Sequence, residues 1–556
     1  MKRYPLILFV FFSFDLLGQS IPAGFPIFEE IQRRNQLRVV DTIGDSFLIR
    51  PVHAMDTLYR FNKILDFAYS KKKLEFGVSP FINTTRILSN RPYNMGDYGM
   101  IPNPGYQTYL SGGINVKWKF INLDFRPELV IAQNKGYQTS LDQFTDSELR
   151  SKFFYWNRGD FPERFGKGWL ISPWWGQSKL SFQFSGFEIG AATENVWWGP
   201  GQWNALTFSN SAQGFPHLTL NTTKPAKTFF GYFETQLVIG KLDNSGYDPS
   251  QFPELNDQYF KPFSEDWRYL NALMVSYNPK WIPRLFLGFT RTFQQYRGAL
   301  GNGFLDYFPV FNGLTKDQYG YDRDADGQDQ QITIFGRYVI PKSKSEFYFE
   351  YGRRDHSKNW REFILNPEHA RAYILGFIQL FDLPSISKLI QVRGEVTQAQ
   401  ESVNRYIRYG GFSGGLGGGY TWHTHSKARG FVQNGQPLGV VIAPGANVQT
   451  LEFSMVEGID KMGILLERLV NNQDFYYKAQ LQATQRKPWV DFSLGILYDK
   501  KIKNLLLSSK LQVIHARNYQ WQLDPASTPD FPKGKNLTSM MAQVSLIYFW
   551  NKNLDK

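Results

Sequence analysis

Asp474-Phe-Tyr-Tyr-Lys-Ala-Gln-Leu-Gln-Ala-Thr484 alternates between an oily side and a wet one. In an extended chain Phe475, Tyr477, Ala479, Leu481 and Ala483 share one face, and Tyr476, Lys478, Gln480, Gln482 and Thr484 share the other, because successive side chains of a strand point to opposite sides. The same period of two returns over 228–241, 345–352 and 490–500. Helical spacing repeats nowhere over most of the chain. The pattern predicts an all-β protein whose sheet has two chemically different faces, and the N-terminus says which faces these are.

Residues 1–20 read as an export signal. Lys2 and Arg3 form a basic start, Leu6 to Phe14 is an apolar run too short to span a bilayer, Asp15 ends it, and Gly18 and Ser20 are small residues spaced for a signal peptidase. For an exported chain the two faces are lipid outside and water inside: a transmembrane antiparallel β-barrel in the outer membrane. No later stretch approaches the roughly 18 uninterrupted apolar residues of a membrane helix, so a helical membrane protein is excluded and a large soluble β protein is the competing class. Aromatic residues, 17% of the 556, crowd the ends of the alternating segments, as girdles at two membrane interfaces do. The absence of cysteine excludes a lipidated anchor, a disulfide framework and a thiolate metal site. The net charge of +13 is spread among acidic residues with no basic stripe, which excludes nucleic acid and favours an acidic glycan or a lipopolysaccharide phosphate.

Residues 21–70 keep a helical period instead. Ile27, Phe28, Ile31 and Leu37, then Met55, Leu58 and Tyr59, predict two short amphipathic helices over 27–38 and 53–63. Preceding the first strand, they form a periplasmic segment expected to pack under or partly into the barrel of residues 71–556. Candidate strands lie near 74–87, 105–119, 121–133, 178–190, 216–223, 227–242, 268–278, 283–296, 330–341, 344–354, 370–381, 388–400, 446–457, 461–470, 474–485, 489–499, 504–516 and 538–550. A closed sheet of about 18 strands encloses a lumen, and at about ten embedded residues per strand most of the chain is left for loops over or into the pore. The last segment supports closure: Met540, Ala542, Val544, Leu546, Tyr548 and Trp550 alternate and end in aromatics.

The densest chemistry runs from Trp169 to Trp203, which holds six of the fifteen tryptophans. Indole faces stack on the C–H faces of sugars and accept cations, so Trp197, Trp198 and Trp203 are candidate glycan platforms, turned toward the lumen by Gly199-Pro200-Gly201. Interfacial anchoring is the reading for Trp174 and Trp175, because a strand over 178–190 spans about 40 Å and carries the two Trp-Trp-Gly pairs to opposite interfaces. The stretch Thr193-Glu-Asn-Val-Trp-Trp-Gly-Pro-Gly-Gln-Trp-Asn-Ala-Leu-Thr-Phe-Ser-Asn-Ser-Ala-Gln-Gly-Phe-Pro-His217, with Gly231-Tyr-Phe-Glu-Thr-Gln-Leu237, resembles the central motif of the capsule-assembly Wzi family. Asp326-Gly-Gln-Asp-Gln330, Glu350-Tyr-Gly-Arg-Arg-Asp-His356 and Glu368-His-Ala-Arg-Ala-Tyr-Ile-Leu-Gly376 are similar to its Bacteroidetes branch. The resemblance covers about 190–380. It implies an outer-membrane barrel of about eighteen strands, with periplasmic helices and an obstructed lumen. Such a barrel would act as a non-enzymatic lectin that holds acidic capsular polysaccharide or exopolysaccharide at the cell surface. The competing expectations are a porin or nutrient channel, and a barrel subunit of a gliding-motility or secretion machinery with protein partners in surface export.

Arg393, with Arg405 and Arg408, is expected to line the bore and meet acidic sugars. Asp322, Asp324 and Asp326 alternate before Gly327, with Asp329 after it, as a loop that converges oxygen ligands on Ca²⁺ does, although Thr333 stands where an EF-hand has glutamate. Gly411-Phe-Ser413-Gly-Gly415 matches a nucleophile elbow, but a glycine run follows where a helix is required. His423 and His425 lack a third metal ligand nearby. Glu346 and Glu350 share a strand face yet stand about 13 Å apart, too far for glycosidase carboxylates. The sequence therefore offers no catalytic group.

Overall fold

The computed structural model describes residues 26–38, 46–51, 74–93, 97–263, 266–315, 318, 327–354, 357, 359–365, 367–368, 370–383, 387–401 and 421–550. The export signal, the expected helix over 53–63, the glycine run, Arg405 and Arg408 lie outside the described residues.

The wall is one closed antiparallel sheet. In chain order its strands are β1 Leu74–Leu88, β2 Gly105–Trp118, β3 Ile121–Phe125 continued by Glu128–Ala132, β4 Leu170–Trp174 continued by Lys179–Phe184, β5 Phe187–Ala192, β6 His217–Thr222, β7 Gly231–Leu242, β8 Arg268–Pro279 and β9 Leu285–Tyr296. They are followed by β10 Asp329–Ile340, β11 Ser345–Arg354, β12 Arg371–Asp382, β13 Leu389–Gln398, β14 Asn447–Glu457, β15 Asp460–Val470, β16 Val490–Ile502, β17 Leu505–Arg517 and β18 Leu537–Tyr548. β1 closes on β18, from Phe81 opposite Tyr548 to Leu88 opposite Met541. Closure leaves no edge, so every strand can find ladder partners where water is absent.

The pleat explains the alternation. On β16, Phe492, Leu494, Ile496 and Tyr498 are 41–53% exposed on the outer face, while Asp491, Ser493 and Asp499 turn inward and are buried. Apolar outside and polar inside is the reverse of a soluble sheet, and it suits a wall facing hydrocarbon. Short turns such as 119–120, 185–186 and 503–504 join the strands at one end, and segments such as 133–169, 193–216 and 518–536 at the other. Short turns mark the periplasmic rim and long loops the outer one.

Two expected strands are corrected. The region 178–190 is a hairpin, not one strand: Ser185 and Gly186 both take positive φ, 48° and 87°, the two-residue turn that matches strand twist, and Phe184 sits opposite Phe187. Both Trp-Trp pairs therefore flank the same, open end of this hairpin, where the Thr193 hydroxyl donates to Gly176 O at 2.8 Å, rather than standing at opposite interfaces. The expected strand 474–485 is absent because β15 and β16 pair directly from Val470 opposite Val490, which leaves no slot between them. Its residues instead form a short helix, Gln473–Lys478, and a 3₁₀ turn, Leu481–Thr484. One strand gained and one lost leave the count at eighteen among the described residues.

The interior is filled with protein rather than simply hydrated. Helix α1, Pro26–Gln36, enters from the short-turn end. Phe28 meets the Phe549 ring edge-on at 6.1 Å, and Arg34 donates to Gly458 O at 2.6 Å. Above it, Leu48, Trp198, Phe208, Phe215, Phe335, Phe431 and Leu438 form an apolar core inside the barrel.

Candidate functional site

The loop 193–216 dips from the outer rim into the bore and meets the periplasmic segment there. Ile49–Arg50 pairs with Trp197–Trp198 as a two-stranded ribbon. Arg50 is 1% exposed, binds Glu29 at 2.6 Å, and donates to Gly199 O at 2.6 Å and Gly201 O at 2.9 Å. Its guanidinium lies 4.3 Å from the centroid of the Trp197 ring. Arg33 reaches Pro200 O at 2.7 Å and pairs with Glu346 of β11.

Carboxylates of the wall hold the loop's amides. Glu350 accepts from Gly201 N at 3.0 Å and Leu206 N at 2.8 Å. Glu395 accepts from Gln202 N at 2.7 Å, Asn204 N at 3.0 Å and the Tyr348 hydroxyl at 2.8 Å. Gly199 has φ +112°, and a Cβ there would run into the Glu350 carboxyl group, so the Gly-Pro-Gly turn is what lets this backbone lie against it.

This clasp changes the roles of the tryptophans. Trp198 is fully buried, donates its Nε1–H to Gln236 at 2.8 Å and packs edge-on against Phe208 at 4.9 Å. Trp197 is 3% exposed beneath Arg50. Neither presents a face to a sugar, which corrects the platform reading for both. Trp203 is partly exposed and carries Arg393 at 4.7 Å. Both line a cavity of about 300 Å³ together with Glu30, Glu452 and Lys461. Arg393 is not a free cation: it pairs with Glu452 and with Glu30 at 3.1 Å. Burial opposes the charge of Glu30, but Arg393, Lys461 and Arg34 hold its carboxyl well below the usual range.

The proposed metal ligands separate. Asp329 is bound by Arg354 at 2.9 and 2.5 Å and by Gln294 at 2.7 Å, so it serves an ion pair rather than a cation, a second correction. Asp322, Asp324 and Asp326 lie outside the described residues. His423 is buried, and burial followed by the Arg354 charge pushes it down to about 3. The His425 Nδ1 accepts from Ala428 N at 2.9 Å.

A second cavity, of about 180 Å³, lies at the outer rim, where residues 91–93 and 102, 137–163, 443–444, 471–489 and 520–521 meet. The composition of these loops gave no periodic signal for it. Helix α2, Asp146–Trp156, forms one wall; the Thr145 hydroxyl accepts from Glu148 N while the Glu148 carboxylate accepts from Thr145 N, a capping box that fixes its start. Helix α3, Gln473–Lys478, forms another, with Asp474 in its first turn and Lys478 in its last, each favoured there by the helix dipole. Phe475 meets Trp521 edge-on at 4.9 Å, and Trp489 meets Trp521 at 5.6 Å. Lys152, Tyr155, Trp156 and Glu163 complete the lining.

Fold and site together define an outer-membrane barrel whose bore, among the described residues, is filled by the N-terminal segment and an inserted long loop. A family model described as capsule assembly protein Wzi matches residues 175–453, half of the chain, and the chain belongs to that family. Among solved structures it is similar to Wzi of Escherichia coli, described as a carbohydrate-binding β-barrel involved in group 1 capsule assembly. That match has a TM-score of 0.56 and 10% identity, and covers 96% of this chain and 99% of that one. OccAB2 of Acinetobacter baumannii follows with a TM-score of 0.38 and 9% identity, over 85% of this chain and 97% of that one. OccK7 of Pseudomonas aeruginosa has a TM-score of 0.37 and 9% identity, over 85% and 98%. No curated protein matches the sequence.

Proposed function

We propose that the barrel binds carbohydrate and holds exported capsular or surface polysaccharide at the outer face of the membrane, without catalysing a reaction on it. The observation that carries this reading is the clasp: Arg50 and Arg33 tie the periplasmic segment to Gly199, Pro200 and Gly201 inside the bore. A channel needs a continuous wet path, whereas a barrel filled by interlocking segments suits a fixed receptor. Membership of the capsule-assembly family and the carbohydrate binding ascribed to the Escherichia coli structure support the same conclusion.

The test compares cell-bound and released polysaccharide on wild-type and deletion cells, with the purified barrel run in planar bilayers alongside. Polymer shed into the medium by the deletion strain, and a non-conducting barrel, are the expected results. Unchanged cell-bound polysaccharide overturns the retention reading, and a steady single-channel conductance replaces it with the porin.

A further inference from the structure

We propose that the rim cavity is a subsite for a carboxylate-bearing sugar residue, with Lys152 receiving the carboxylate. The proposal rests on the carbohydrate-binding reading and gives it a location and a ligand class. At about 180 Å³ the space falls below the roughly 300–1,000 Å³ of pockets for drug-sized ligands. It therefore takes one residue or a branch of a glycan, not a threaded polymer.

Three features of the lining point to such a guest. The Lys152 ammonium lies 4.8 Å from the ring centroid of Trp156, 5.1 Å from Phe475 and 5.7 Å from Trp521. Three rings orient it, yet among the described residues it makes no salt bridge or hydrogen bond. Burial lowers the Lys152 pKa and Glu163 opposes that; burial also pushes the Glu163 carboxyl up to about 7, so near neutrality it compensates only part of the positive charge. The second feature is Trp521, which is 2% exposed with an Nε1–H that has no acceptor among the described residues. A buried donor without a partner is costly, and a sugar oxygen removes that cost.

The third feature is how the other charges are engaged. Arg91 pairs with Asp491 at 2.7 Å and stacks on Trp489 and Tyr519 at 5.5 and 5.4 Å. Asp491 also accepts from the Trp489 Nε1–H at 2.8 Å, and Asp474 accepts from Glu401 N at 2.8 Å. Lys152 is thus the cation of the lining that is still available. A carboxylate beside it would form a charge-assisted hydrogen bond in surroundings that screen less than water, while indole and phenyl faces cover the sugar's C–H face. A neutral sugar would gain the stacking alone.

The experiment uses the full chain purified in detergent and follows tryptophan fluorescence during titration with tetragalacturonate and with maltotetraose. Wild type is expected to bind the acidic tetramer at least about tenfold more tightly. Lys152→Gln should erase that preference by weakening the acidic ligand alone, and Lys152→Arg should retain most of it. Trp521→Phe, which keeps a ring and removes the N–H, should weaken both ligands. Equal binding of the two tetramers by wild type, or Lys152→Gln binding the acidic one within about twofold of wild type, overturns the proposal. If deletion cells shed polysaccharide and the Lys152→Gln barrel restores retention with unchanged tetragalacturonate binding, the subsite is wrong while the retention reading stands.

Discussion

The clasp in the bore and the chamber at the rim are both rich in tryptophan, but their polar groups are engaged differently. In the clasp the Trp198 indole binds Gln236, Arg50 binds Glu29 and two carbonyls, and Glu350 and Glu395 bind loop amides. In the chamber, among the described residues, the Lys152 ammonium has ring contacts without a salt bridge or hydrogen bond, and the Trp521 Nε1–H has no acceptor. Aromatic density by itself therefore does not mark a binding site; an available polar group beside the rings does. The clasp tryptophans also lie within the residues matched by the family model, 175–453, whereas Lys152, Phe475, Trp489 and Trp521 lie outside them. Arg33 and Arg50, the other half of the clasp, also lie outside the matched stretch.

The comparison breaks most visibly at Arg50. Removing one partner of a buried ion pair leaves the other uncompensated, at a cost of about 3–5 kcal/mol. Arg50→Ala should lower the melting temperature in detergent and release the plug, so that the planar-bilayer experiment records conductance where wild type shows none. An unchanged melting temperature and a silent bilayer would mean that the clasp does not hold the bore shut. Glu395→Ala comes next. It strips the acceptor from Gln202 N, Asn204 N and the Tyr348 hydroxyl, an expected loss of about 2–4 kcal/mol. Glu395→Gln keeps one acceptor oxygen and should lose about half as much. Equal losses would show that charge, not the amide contacts, is what matters there.

The wall was readable because lipid and lumen impose a period of two on each strand, and the expected segments near 268–278, 283–296 and 504–516 coincide closely with β8, β9 and β17. The same signal failed at Asp474–Thr484, since alternation describes a face without saying whether a sheet has room for it. β15 and β16 already pair there, and the oily residue Phe475 turns into the chamber while Leu481 is fully buried. A local cue was available at the split strand: the Ser185-Gly186 pair is a turn signal inside the run. The chamber had no such cue, because its walls come from five loops far apart in sequence. Phe475→Leu separates the two readings of that stretch. Loss of its ring contact with Trp521 should weaken the rim by about 1 kcal/mol, seen as faster proteolysis of 471–489 with barrel melting unchanged, whereas a lipid-facing strand residue would tolerate leucine without effect.

The smallest expected effect concerns the acid beside Lys152. Burial raises Glu163 from 4.5 to about 7, with Lys152 pulling in the other direction, so the folded rim prefers the neutral carboxyl. Its contribution is complete below pH 4.5 and fades as the pH rises through about 7. Partial exposure screens the effect, and we expect under about 1 kcal/mol, read as a few-fold faster hydrogen exchange across 133–169 at pH 8 than at pH 5 after correction for the intrinsic rate. Glu163→Gln should abolish that difference, since an amide stays neutral at both values. Helix α1 supplies the internal control: Glu30 is held ionised well below this range, so exchange there should not change over the same interval. A pH response shared by α1 and the rim would show that the chamber and the plug open as one unit, and the contrast between a sealed bore and an independent outer site would fail.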